Sequence, residues 1–170
     1  MLAAGTVMKA LSCSILVALS MAGSLAAQTA VGQFETHQDI GITPVAGSAQ
    51  FDPASGEYRV TGGGANIWGA ADALQFVWKR ISGDVRFTAD VKFVGVGAVN
   101  HRKAVLMLRQ SLSPDSAYAD VALHGDGLTS LQFRSTAGAA TEEIRSTLNA
   151  PTRIRIERWQ PVHNLRREAW

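Results

Sequence analysis

From residue 33 onward, apolar and polar residues alternate with a period of two. That pattern places successive side chains on opposite faces of an extended strand and argues against helix. The clearest stretch runs from Asp84 to Val94, where Val85, Phe87, Ala89, Val91 and Phe93 interleave with Asp84, Arg86, Thr88, Asp90 and Lys92. One apolar and one polar face predict a half-buried strand of an antiparallel sheet. Ile81-Ser82-Gly83-Asp84 reads as a tight turn before it. Leu74, Phe76 and Trp78 mark a preceding strand, and Tyr58 and Val60 a shorter one after the turn Asp52-Pro53-Ala54-Ser55-Gly56. Lys103 to Arg109 is more continuously apolar, as a central strand would be. Ile154 and Ile156 alternate with Arg153, Arg155 and Glu157 in a last strand.

The segment from Ser116 to Ser135 predicts a hairpin and its register. Ala117, Ala119, Val121 and Leu123 share one face, and Leu131 and Phe133 share one face of the next strand. A three-residue loop, Gly125-Asp126-Gly127, sets His124 against Leu128, Val121 against Leu131 and Ala119 against Phe133. A two-residue loop mixes the faces, and a one-residue slip carries a whole face to solvent, so burial selects the longer loop. Gly127 supplies the left-handed conformation that such a loop needs. On the other face the same register sets Tyr118 opposite Arg134 and Asp120 opposite Gln132.

Composition fits many short strands. The chain has 170 residues, 46% of them hydrophobic and 18% charged, with 16 glycines. These values suit one globular domain rich in turns and exclude wholesale disorder. Net charge is only +2, and no basic stripe with interleaved aromatics is present, so nucleic-acid binding is not expected.

The N-terminus changes the compartment. Lys9 supplies a positive charge, Leu11 to Ala22 is largely apolar, and Ser24-Leu25-Ala26-Ala27 offers small residues for cleavage, the pattern of a signal peptide. The apolar run is short of the roughly 20 residues of a membrane span. The expected organisation is a signal peptide at 1–27, a sandwich domain at 28–158 and an irregular tail at 159–170. The expected setting is periplasmic or secreted, with no membrane segment in the mature form. Cys13, the sole cysteine, leaves with the signal, so the mature domain has no disulfide or thiolate chemistry.

Several motifs carry a family resemblance. Gly62-Gly63-Gly64-Ala65-Asn66-Ile67-Trp68, then Phe76-Val77-Trp78-Lys79 and Gly83-Asp84-Val85, resemble the concanavalin A-like (laminin G-like) module of "regulation of enolase"-type proteins. Ala104-Val105-Leu106-Met107-Leu108-Arg109-Gln110, Ser116-Ala117-Tyr118-Ala119-Asp120 and the His124-Gly125-Asp126-Gly127 hairpin are similar to that family too. The likeness spans roughly Phe34 to Arg158. It implies an all-β, antiparallel two-sheet jelly-roll sandwich. Modules of this kind often precede a Tol-type propeller of the biopolymer-transport class. In the family, further alternating strands follow the one at Arg153 to Arg158. Here the period breaks at Trp159, which reads as a C-terminally truncated or frame-shifted sandwich.

Candidate chemistry is sparse. Glycoside hydrolysis needs two carboxylates about 5–10 Å apart across the scissile bond. The Glu-x-Asp-x-x-Glu motif of the laminarinase-like branch is absent, and Glu142 and Glu143 point to opposite faces of a strand. No catalytic residues, metal or cofactor are expected. His124, Asp126 and His101 suit turn chemistry better than ligation, and a calcium site of backbone carbonyls with Asp126 or Asp72 stays open. The best binding candidates are Tyr118, Asp120, Gln132 and Arg134 on the polar hairpin face, joined by Arg109. An aromatic with planar hydrogen-bonding groups suits a sugar. The competing reading is a solvated sheet face with a cross-strand Tyr–Arg pair. Trp68 and Trp78 read as core or edge packing. The functions in view are a glycan or cell-envelope binding module, a structural domain supporting a propeller, and, third, a glycoside hydrolase.

Overall fold

The computed structural model describes residues 29–159 except 96 and 98. The expected signal peptide, and the tail beyond Trp159, lie outside the described residues. Among those residues the chain is all-β without helix. Its strands are β1 (Thr36–Ile40), β2 (Ser48–Asp52), β3 (Glu57–Thr61), β4 (Asn66–Trp68), β5 (Ala71–Trp78) and β6 (Val85–Asp90), then β7 (Lys103–Arg109), β8 (Tyr118–His124), β9 (Thr129–Arg134), β10 (Glu142–Arg145) and β11 (Arg153–Arg158).

The strands divide among four antiparallel sheets, where two were expected: β1-β5-β4, β10-β9-β8-β7, β11-β6 and the hairpin β2-β3. The four-stranded sheet has cover on both faces. Met107 and Tyr118 meet Ile40, Ile67 and Leu74 of the β1-β5-β4 sheet in one core cluster. Leu106 points the other way and meets Ile154 and Ile156 of β11, with Phe87 and Ala89 of β6 packed alongside. Each such side chain, fully buried, contributes about 1.5–3 kcal/mol of hydrophobic stabilisation.

Two expectations about strands need amendment. The run Lys103 to Arg109 is a strand, but among the described residues it pairs only with β8 and forms the outer strand of its sheet. Its continuous apolar character comes from cover on both faces, not from a central place in the hydrogen bonding. The alternation from Asp84 outlasts its strand: pairing with β11 ends at Asp90, and Val94 is exposed.

The hairpin has the predicted register. Tyr118 faces Arg134, Asp120 faces Gln132 and Val121 faces Leu131. The His124 N–H donates to the Leu128 carbonyl at 2.8 Å, and Gly127 sits at φ +93°.

Candidate functional site

The register places one row of side chains across the sheet face that meets β4 and β5: Met107 on β7, Asp120 on β8, Gln132 on β9 and Glu143 on β10. Arg109, Tyr118 and Arg134 form the next row on that face. The structure therefore brings all five candidate residues together. It does not leave them on a solvated face. Asp120 is 0% exposed, Gln132 and Arg134 1% and Tyr118 5%, and the Arg109 side chain is also buried. The period of two tells which residues share a face; it does not tell which face a second layer covers.

What makes this burial tolerable is internal pairing. Arg134 donates to both carboxylate oxygens of Asp72 at 2.8 and 3.0 Å. Its remaining donors reach the carbonyls of Gly69, Ser116 and Ala139. Arg109 lies 3.5 Å from the same carboxylate and donates to the carbonyls of Ser111 and Ser113. The Arg134 guanidinium stands 5.0 Å from the Tyr118 ring centre, so the Tyr–Arg pair exists, but sealed. The Tyr118 hydroxyl shares a hydrogen bond with Thr141, and burial pushes its pKa up to about 12. A buried arginine demands this saturation, because each unsatisfied donor costs about 1–3 kcal/mol or more. Asp72, occupied by two guanidiniums, is no calcium ligand in this arrangement.

Asp120 is different. Among the described residues no donor makes a well-formed hydrogen bond to either carboxylate oxygen, and the Gln132 backbone N–H interacts with the group only weakly. Burial pushes its pKa up to about 7, against the opposing charge of Lys103 and with the Asp72 charge adding to the rise. Glu143 moves the other way: partial burial raises it, but bonds from Arg145 and Gln132 outweigh that and hold it low. Two carboxylates with opposed shifts are the mark of an acid–base pair. Two strand spacings of about 4.8 Å separate them. Yet Asp120 is fully sealed, and a sugar cannot reach it.

Toward the rim the row opens. Lys103 donates to the Ile67 carbonyl at 2.8 Å and to Gln132 Oε1 at 3.2 Å, and Gln132 Nε2 donates to Glu143 Oε1 at 3.1 Å. The Lys103 ammonium stands 5.3 Å from the centre of the Trp68 ring. Trp68 lies on the edge strand β4 and is 42% exposed. Burial lowers the Lys103 pKa, while the Asp120, Glu143 and Asp72 charges oppose the shift. Trp68, Lys103, Gln132 and Glu143 thus form a chain from an exposed aromatic to a carboxylate.

Sequence reasoning missed Lys103, Glu143 and Thr141 as members of this face. Lys103 and Glu143 had a legible signal, since each shares strand parity with its neighbour in the row once pairing is known. Asp72 had none, because its contacts with Arg134 and Arg109 cross between sheets, and Thr141 had none, because it lies outside the strands. His124 stacks edge-on with His101 at 5.7 Å, and its Nδ1 lies 3.0 Å from the Leu128 carbonyl. Among the described residues no three His, Cys, Asp or Glu side chains gather as metal ligands. Comparison of the chain with protein-family models, with curated proteins and with solved structures finds no match in any of the three.

Proposed function

We propose that the chain is a non-catalytic, extracytoplasmic binding module of the concanavalin A-like jelly-roll kind, taking a glycan at the rim formed by Trp68, Lys103 and Glu143, with Gln132 buried beneath it. The observation that carries this reading is the exposed Trp68 ring beside a lysine that is linked to a carboxylate through the buried Gln132 amide. Sugars stack their apolar faces on aromatic rings and bond their hydroxyls to such groups. In this reading Arg109, Tyr118, Asp120 and Arg134 hold the frame, and Gln132 joins frame to rim. The sealed Asp120 speaks against a hydrolase. A periplasmic or secreted setting follows from the leader-like N-terminus.

A glycan array probed with the domain and with Trp68→Ala tests the proposal. Binding of a glycan class that Trp68→Ala loses by at least about tenfold supports it, that factor being 1.4 kcal/mol. Binding that is absent, or unchanged by Trp68→Ala, overturns it. The second reading is a structural domain that supports a propeller. It draws on the degree to which Arg109 and Arg134 are consumed by internal bonds, and an empty array would favour it.

A further inference from the structure

One row on the opposite face of the four-stranded sheet runs Leu106, Val121, Leu131, Ile144. Its exposure climbs from 6% at Leu106 to 41% at Leu131 and 60% at Ile144. The β6-β11 layer meets Leu106 and Val121 and leaves the β10 end of the row open. Among the described residues β10 pairs only with β9, so its other edge is free.

The backbone of β10 says which of its groups face that edge. The Ser146 N–H donates to the Thr129 carbonyl at 2.9 Å. Strand alternation then turns the Ile144 N–H and C=O toward β9 as well, and directs those of Glu143 and Arg145 outward.

We propose that a second copy of this chain pairs antiparallel with the free β10 edge, about a two-fold axis through Ile144. An antiparallel pairing across such an axis keeps each face with its like, so only registers that pair residues of equal parity are allowed. Glu143 against Glu143, or Arg145 against Arg145, sets like charges face to face. The register centred on Ile144 pairs Glu143 with Arg145 of the second copy, twice, and joins the outward N–H and C=O groups of both. Opposite charges at directly facing positions stabilise a sheet, and like charges destabilise it. Arg145 already reaches Glu143 within its own chain at 2.8 Å, so the exchange needs only a change of partner. On the apolar face the two copies of Ile144 meet at the axis and extend the Leu131–Ile144 row across it. The edge is short, and the association is correspondingly weak.

Cysteine cross-linking in a Cys13→Ser background tests both the pairing and its register. Ile144→Cys faces itself across a non-hydrogen-bonded pair, within reach of a disulfide. Under mild oxidation it is expected to yield disulfide-linked dimer about tenfold faster than Ile42→Cys, a control 89% exposed, through its high effective concentration. Glu142→Cys faces Ser146 of the second copy in this register and is expected to behave like the control. Equal cross-linking at 142 and 144, or at 144 and 42, overturns the proposal. Sedimentation of the wild-type chain is expected to show a reversible dimer at high protein concentration. Arg145→Glu and Ile144→Lys alter exposed side chains, and circular dichroism checks that both remain folded. Dimerisation of folded Arg145→Glu as strong as that of the wild type also overturns it.

Discussion

Arg134 and Asp72 form a two-bond fork, 2.8 and 3.0 Å long, between side chains that are both 0% exposed. The fork ties β9 to the start of β5 and so locks one sheet over another. Breaking such a pair is costly because the surviving charge stays buried. Asp72→Ala strands Arg134 and Arg109 together, and a loss of about 3–5 kcal/mol is expected. Asp72→Leu combined with Arg134→Met removes both charges of the fork and is expected to cost less than Asp72→Ala alone. Urea unfolding of the two variants measures the difference; equal losses would show that the stranded charge is not the cause.

The exposed fork between Arg153 and Asp90 makes a contrast. Its bonds are as short, 2.6 and 2.8 Å, but its side chains are 68% and 65% exposed. Solvent and salt screen such a pair. Arg153→Ala is expected to leave the urea midpoint unchanged within error.

Asp120 predicts a pH dependence. Its folded pKa of about 7 lies above the ordinary 3.8, chiefly because burial disfavours the charge. Below about pH 4 the group holds its proton in both states and its contribution is fully present. As pH rises, the unfolded chain releases the proton first, so stability falls through that window and levels off above about pH 7. The total is on the order of 4 kcal/mol at 1.36 kcal/mol per pKa unit. His124, held low by burial, contributes the opposite slope. The comparison is therefore Asp120→Asn against wild type: the variant is expected to gain stability relative to wild type as pH rises, and to exceed it at about pH 8. Thermal melts across that range check it.

Gly127 carries the hairpin. At φ +93° an alanine is strained, and its Cβ would also strike Asn149 Oδ1. Gly56 has a similar backbone, φ +73°, with nothing near an added Cβ. Left-handed backbone costs a non-glycine residue about 1–2 kcal/mol. Gly56→Ala is expected to lose that amount and Gly127→Ala clearly more, as read from urea midpoints.

Seven strands, β3, β5 to β9 and β11, and the register of the β8-β9 hairpin were legible from the sequence, because both follow from short-range rules; β1, β2, β4 and β10, which lack a clear alternation of their own, were not. Alternation defines a strand, and the three-residue loop at Gly125 to Gly127 leaves one register that keeps Val121 and Leu131 on a single face. The same alternation showed that Tyr118, Asp120, Gln132 and Arg134 share a face with one another. Which face lies inside was a tertiary matter. Arg134 is buried because Asp72, 62 residues away, supplies its counter-charge, and Leu131 is exposed because the β6-β11 layer stops short of β9. Hydrophobicity ranks faces only while every charge must stay in water. Once a distant partner neutralises a charge, the polar face packs and the apolar one is left at the edge, and no local pattern records that exchange.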